Sequence, residues 1–191
     1  MIHGGDRMKI KDDLAFEFRG GEVGDSCVSF GCSATYGVGV DHNETWPDLI
    51  DNFNHGQPGS SNDRISRLTI NYIIAHKPTH VNILWTFNSR REHIMEDGTA
   101  KRYTPGWSKW EGTYWHKGYT LISNDAADYH NYLKNKLLVE SVAELNGVKL
   151  KQLSIEDYDW NKMNYPLGSD GKHPGPEWHE MIANEFNKKV L

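Results

Sequence analysis

Short apolar runs, too brief for helices, alternate along this chain with longer segments whose apolar residues recur at helical spacing. That alternation restricts the architecture more than any other feature. Cys27 to Phe30 reads as a buried strand that opens into a loop, Gly31 to Gly39. Val81 to Trp85 is a second such run, mostly apolar, and Val148 to Ile155 reads as a third strand. Between the first two, Trp46, Leu49, Ile50 and Phe53 fall three and four apart. With Thr45 as N-cap and Pro47 in the first turn, where its missing donor does no harm, they predict a first amphipathic helix. Asn54 to Ser61 reads as a turn. A second helix is expected from Ser60 or Ser61, with Ile65, Leu68, Tyr72 and Ala75 on one face and Pro78 beyond its end. Tyr129, Leu133, Leu137, Val142 and Leu145 predict another, closed by Gly147 in the C-cap position. Trp178, Met181, Ile182 and Phe186 predict the last, and His179 within it reads as ordinary helix surface. Strands joined through helices pair in parallel by right-handed crossovers, so the expected fold is α/β, a three-layer α/β/α sandwich.

A chain of 191 residues can bury one real core and is short for two, so a single domain over 26 to 191 is expected. Residues 1 to 25 are polar and glycine-rich and read as a loose or edge-packed leader. From about 88 to 124 the periodicity fails and aromatic residues accumulate, which marks an insertion of the lid or binding-loop kind. A mean hydropathy of -0.70 is polar for a folded protein, yet seven Trp, nine Tyr and six Phe supply bulky surface for a core. The formal charge of -5 argues against a broad nucleic-acid or anionic-membrane footprint, since Arg90-Arg91 is the only dense basic spot. There is no run of 18 apolar residues, and Met1 to Arg19 lacks the apolar stretch of a signal peptide, so a cytoplasmic protein is expected. Extended chain would hold Cys27 and Cys32 too far apart to bridge, which suggests free thiols in a reducing compartment. Ten histidines show no zinc-motif spacing, so neither a metal nor another cofactor is expected.

Chemistry concentrates in loops that a parallel sheet would bring to one edge. Ser33, just past the first strand, is a candidate nucleophile; alone it is weak and needs a base, an orienting group and donors for an oxyanion. Asp170 stands three residues before His173, which lets the carboxylate hold one imidazole nitrogen while the other faces a nucleophile. Glycines in Asn54 to Ser60 permit close approach of a backbone N–H, and Asn88, in Thr86 to Ser89, carries an amide donor.

In that order, Gly31 to Gly37, Asn54 to Gly59, Thr86 to Ser89 and Asp170 to His173 resemble the four sequence blocks of the SGNH or GDSL hydrolases. The closer likeness is to a subgroup with a Gly-Cys-Ser-x-Thr-Tyr-Gly nucleophile block and a Trp-Thr strand end followed by Arg and Glu, here Trp85, Thr86, Arg90 or Arg91, and Glu92. The resemblance implies a flavodoxin-like parallel sheet, Ser33 as nucleophile, His173 as base and Asp170 as its orienter. It further implies an oxyanion hole from the Ser33 and Gly59 amides and the Asn88 side chain. Cys32, Thr86 and Ser89 depart from the usual Asp, Gly and Asp of the blocks. Gly24-Asp25-Ser26 spells the family's literal tripeptide, but no buried strand precedes it and no Thr-x-Gly follows at the right offset, so Ser26 is set aside.

The expected activity is a serine esterase that removes a short acyl group, acetyl foremost, from a carbohydrate or small metabolite through an acyl-enzyme. Two alternatives stay open: a non-catalytic glycan-binding module on the same fold, and an acyltransferase using the same residues. Trp107, Trp110 and Trp115 either form a platform for a sugar face or pack the insertion onto the core. Arg90 and Arg91 either fork onto a substrate carboxylate or phosphate, or pair with Glu92 or another acid.

Overall fold

A computed structural model of the chain describes residue 19 and residues 26–105 and 113–188. In chain order its elements are β1 (Cys27–Gly31), α1 (Ser33–Tyr36), β2 (Phe53–Gly56), α2 (Asn62–His76), β3 (His80–Trp85), β4 (Arg91–Ile94), β5 (Ala100–Tyr103), α3 (Tyr114–Ile122), α4 (Asp125–Leu145), β6 (Lys149–Ser154) and α5 (Pro176–Lys188). Four strands pair in parallel in the order β2-β1-β3-β6, while β4 and β5 form a separate antiparallel hairpin. Phe30 of β1 stands beside His55 of β2 and Ile83 of β3, which fixes the register on both sides of the central strand.

Alternation along the strands supplies two apolar faces. Val28, Phe30, Phe53, Val81, Ile83 and Trp85 pack under Ile65, Tyr72 and Ile73 of α2 and Val139 and Ala143 of α4. On the opposite face Leu84 and Leu153 meet Trp178, Ile182 and Phe186 of α5, with Trp46 and Trp160 filling the layer. Helices therefore cover both faces of a parallel sheet, as the strand and helix alternation requires. Local signals set the helix ends: Ser61 accepts the Arg64 N–H at 3.2 Å to start α2, Asn124 accepts the Ala127 N–H at 2.9 Å to start α4, and Gly147 follows α4 at φ 68°. No described helix is long and apolar enough to cross a membrane.

Three expectations need correction. The first helix does not form: Asp48–Ile50 is a single 3-10 turn, and Phe53–Gly56, read as helix end and turn, is the edge strand β2. The apolar spacing misleads because Trp46 and Phe53 are buried in different cores on opposite faces of the sheet, so no one helix face could carry both. The segment from about 88 to 124 holds the β4–β5 hairpin and α3 rather than being irregular throughout.

The third correction concerns His179, which is fully buried rather than on the helix surface. Its Nδ1 accepts the Trp46 N–H at 3.2 Å, so the ring is neutral with its proton on Nε2. Burial foremost, and then the Arg19 charge, push it down from the ordinary 6.5 to about 3. The unfolded chain takes up a proton at this ring below pH 6.5 that the folded chain refuses until about pH 3, so its contribution is present above that window and lost within it. The expected loss from this group is about 2 kcal/mol on going from pH 7 to pH 5. Urea midpoints over that range check it. His179→Asn, which keeps an acceptor for Trp46 without a titrating ring, should show a flatter dependence; an equal slope would contradict the assignment.

Candidate active site

The site is assembled at the carboxyl end of the sheet, where the chain leaves β1 for β2 on one side and returns to β3 on the other. β1 ends at Gly31, and a Cβ there would lie 1.9 Å from Thr35 Oγ1 and 2.9 Å from the Leu84 carbonyl oxygen. Only a residue without a side chain lets the next segment turn back so tightly, and it does so as α1, a single helical turn where a loop was expected. Thr35 and Tyr36 donate their N–H groups to the Cys32 carbonyl at 3.1 and 2.9 Å, and Gly37 closes the turn at φ 85°. Ser33 opens α1 and is 7% exposed; its Oγ has Cys32 Sγ as neighbour at 4.0 Å.

Three groups hold α1 in place. Gly56 ends β2 so close that a Cβ would sit 2.4 Å from the Tyr36 nitrogen. Asn54 donates its amide to the Thr35 carbonyl at 2.9 Å and accepts the Gly56 N–H at 3.0 Å, so this side chain spends its polarity on joining β2 to α1. Arg19, which bridges to Asn54 on the edge of β2, reaches the carbonyls of Gly37 at 2.7 Å, Tyr36 at 3.2 Å and Val40 at 3.3 Å. Nothing in the pattern of the polar leader marks Arg19 for this task.

The loop after β2 crosses the end of β1, where Gln57 donates its N–H to the Gly31 carbonyl at 3.0 Å. Gly59 is buried in this loop at φ 75°, a conformation that a side chain would strain. Neither the Ser33 N–H nor the Gly59 N–H donates to an acceptor among the described residues. Ser33 opens α1, where the first N–H groups of a helix have no partner within it, and Gly59 lies in the loop that crosses the end of β1.

Asp170 and His173 lie on the loop before α5. Ser169 donates from its N–H at 2.8 Å and from its hydroxyl at 3.0 Å to the carbonyl of Gly39, just past α1. Gly39 has φ 90°, and a Cβ on it would sit 2.8 Å from Asp170 Oδ1. The Asp170 loop is thus seated on the segment that carries Ser33. Asp170 Oδ2 contacts His173 Nδ1 at 2.6 Å, while Oδ1 accepts the N–H groups of His173 and Lys172 at 3.0 and 3.1 Å. Burial works to raise the Asp170 carboxyl, but the bonds from the His173 ring and from these two N–H groups, with the His173 charge, outweigh it and bring it down to about 2. The carboxylate is therefore ionised at neutral pH and directs Nδ1–H, leaving Nε2 as the outward nitrogen. Ser33 and His173 do not hydrogen-bond to each other in this structure; such pairs tighten when a substrate is bound.

After β3, Asn62 at the start of α2 grips Thr86 at both backbone groups, accepting its N–H at 2.9 Å and donating to its carbonyl at 3.1 Å. Asn88 is engaged by Glu156: its N–H and side-chain amide donate to the two Glu156 oxygens at 2.9 and 2.8 Å. It lines a cavity of about 400 Å³ with Ser89, Asp125, Asp128, Tyr129 and Glu156. The adjacent arginines part company. Arg91 binds Asp128 at 2.7 Å and the Ala127 carbonyl at 2.9 Å, whereas Arg90 rests on Thr86 Oγ1 at 2.9 Å with its guanidinium 5.2 Å from the Phe87 ring centroid. Glu92 pairs with Arg67 at 2.9 Å. Trp107 and Trp110 lie outside the described residues, and Trp115 belongs to α3. Tyr119 donates its hydroxyl to the Ser89 carbonyl and stacks on Tyr103 at 3.6 Å between centroids, which ties α3 to the hairpin and to the loop after β3. No group of three or more His, Cys, Asp or Glu side chains comes together among the described residues as a metal site would require.

No family model and no curated protein matches the chain. Among solved structures it is similar to a protein described as lipolytic and of the G-D-S-L family from Desulfitobacterium hafniense DCB-2, at 14% identity and a TM-score of 0.48, covering 86% of this chain and 98% of that one. A member of the lipolytic G-D-S-L family from Veillonella parvula DSM 2008 aligns at 13% identity and a TM-score of 0.42, covering 86% of this chain and 100% of the other. An alpha/beta hydrolase enzyme from the metagenome of Lake Arreo, Spain, aligns at 17% identity and a TM-score of 0.38, over 84% of this chain and 92% of that one.

Proposed function

We propose that this chain is a serine ester hydrolase of the SGNH type that removes a short acyl group, acetyl foremost, from a carbohydrate or small metabolite. The observation that carries the reading is the 2.6 Å contact of Asp170 with His173 on a loop seated against Gly39, in the same segment as Ser33. In the proposed reaction His173 Nε2 takes the Ser33 hydroxyl proton as Oγ bonds to the ester carbonyl carbon. The carbonyl oxygen becomes an oxyanion and takes the Ser33 and Gly59 N–H groups, which have no acceptor to give up among the described residues. His173 then returns the proton to the departing alkoxide as the carbon–oxygen bond breaks. Water, deprotonated by the same imidazole, hydrolyses the acyl-enzyme and restores Ser33. Asp170 holds the imidazole in the tautomer this requires and offsets its positive charge. No metal or other cofactor takes part in these steps.

A second reading, a glycan-binding module without catalysis, is favoured by the engagement of Asn88 with Glu156, which occupies one expected oxyanion donor. Hydrolysis of 4-nitrophenyl acetate separates the two. An esterase hydrolyses it in a manner that depends on Ser33, and a binding module leaves it intact.

A further inference from the structure

We infer that Arg90 sets the substrate class of this site by receiving a carboxylate carried by the ester. The inference rests on the esterase reading and adds to it which esters are preferred. Arg67, Arg90 and Arg91 cluster around the chain that leaves β3, and two of them are neutralised: Arg67 by Glu92 at 2.9 Å and Arg91 by Asp128 at 2.7 Å. Arg90 has no carboxylate partner among the described residues. Its Nη1 donates to Thr86 Oγ1 at 2.9 Å, and its Nε and Nη2 donate to nothing described. Glu156 is committed to Asn88 and Asp170 to His173.

The side chain is nevertheless held in one place. It is half-buried, it lies over the Phe87 ring, and it rests on a threonine whose backbone N–H and carbonyl are both clamped by Asn62. Removing a guanidinium partly from water without a counter-ion costs free energy that stacking only partly offsets. A fixed cation of that kind is prepared for an anion that arrives from outside. Its position suits the reaction: β1 and β3 are parallel neighbours with Phe30 beside Ile83, so the segments that carry Ser33 and Thr86 leave the same edge of the sheet. The free Nε–Nη2 edge presents two parallel N–H bonds, the spacing of a carboxylate's oxygens. A singly charged carboxylate also suits a chain of formal charge -5 better than a doubly charged phosphate would.

The test compares kcat/KM for 4-acetoxybenzoate, an acetyl ester whose carboxylate lies on the alcohol side, with that for phenyl acetate. In the wild-type protein the ratio should exceed one. In Arg90→Gln it should fall about 10- to 100-fold, the worth of a charge-assisted pair, with most of the change in KM for the acetoxybenzoate. Arg90→Lys should fall between, because an ammonium keeps the charge and loses the fork. Hydrolysis of both esters with a ratio that Arg90→Gln leaves unchanged would overturn the inference and spare the esterase reading. Hydrolysis of neither ester would overturn both.

Discussion

Replacing Ser33 by alanine is expected to lower kcat for 4-nitrophenyl acetate by about a thousandfold or more, the usual cost of removing a nucleophile whose base and orienter stay in place. The fold should survive. Among the described residues the hydroxyl has Cys32 Sγ at 4.0 Å as its one polar partner, and α1 is held by backbone and neighbouring groups that the substitution leaves alone: the Cys32 carbonyl, Asn54 and Arg19. Circular dichroism and the thermal midpoint of the variant should therefore match the wild type while turnover disappears. Activity that persists within tenfold would assign the chemistry to another residue.

The largest effect on stability is expected at Gly56. A Cβ at this position would lie 2.4 Å from the Tyr36 nitrogen and 2.8 Å from the Thr35 carbonyl carbon. Both are backbone atoms of α1, so no side-chain rotation relieves the clash. Either β2 leaves its pairing with β1 or α1 moves off the end of the sheet. Gly56→Ala should cost about 3 kcal/mol or more, at the upper end of overpacking substitutions. Whatever folded protein remains should also hydrolyse esters poorly, because Ser33 begins α1 and Gly59 follows β2, and one of the two elements has to move. A urea midpoint within error of the wild type would mean that β2 and α1 are less tightly joined than described.

Much of this architecture is legible in the residues themselves. The runs at Cys27 and Val81 are strands because they are mostly apolar and short, and the segment at Val148 is one with apolar residues at alternate positions; Ser61, Asn124 and Gly147 mark helix ends by local chemistry. β2 escaped because its four residues, Phe-Asn-His-Gly, carry no apolar run. Its burial depends on Asn54 finding Thr35 and Gly56, partners that only the folded chain brings near. His179 escaped for a similar reason, since a histidine among helix residues reads as surface until the Trp46 N–H is known to need an acceptor. At the site, the three-residue interval from Asp170 to His173 already states that the pair can meet. The interval does not state that Ser169 and Gly39 dock this loop beside Ser33, because that contact joins residues far apart in the chain. The different tasks of Arg90 and Arg91 were equally hidden, because they depend on Asp128 of α4 standing next to one of them only.

The central claim is that Ser33 is a nucleophile served by His173, and covalent capture tests it most directly. Treatment with an organophosphonate ester, followed by intact mass measurement and peptide mapping, should give one adduct on Ser33. The adduct should be absent from Ser33→Ala and slow to form in His173→Gln, since an unassisted serine does not react. A wild-type chain that remains unmodified, or one that carries its adduct on Ser26 or elsewhere, would contradict the account.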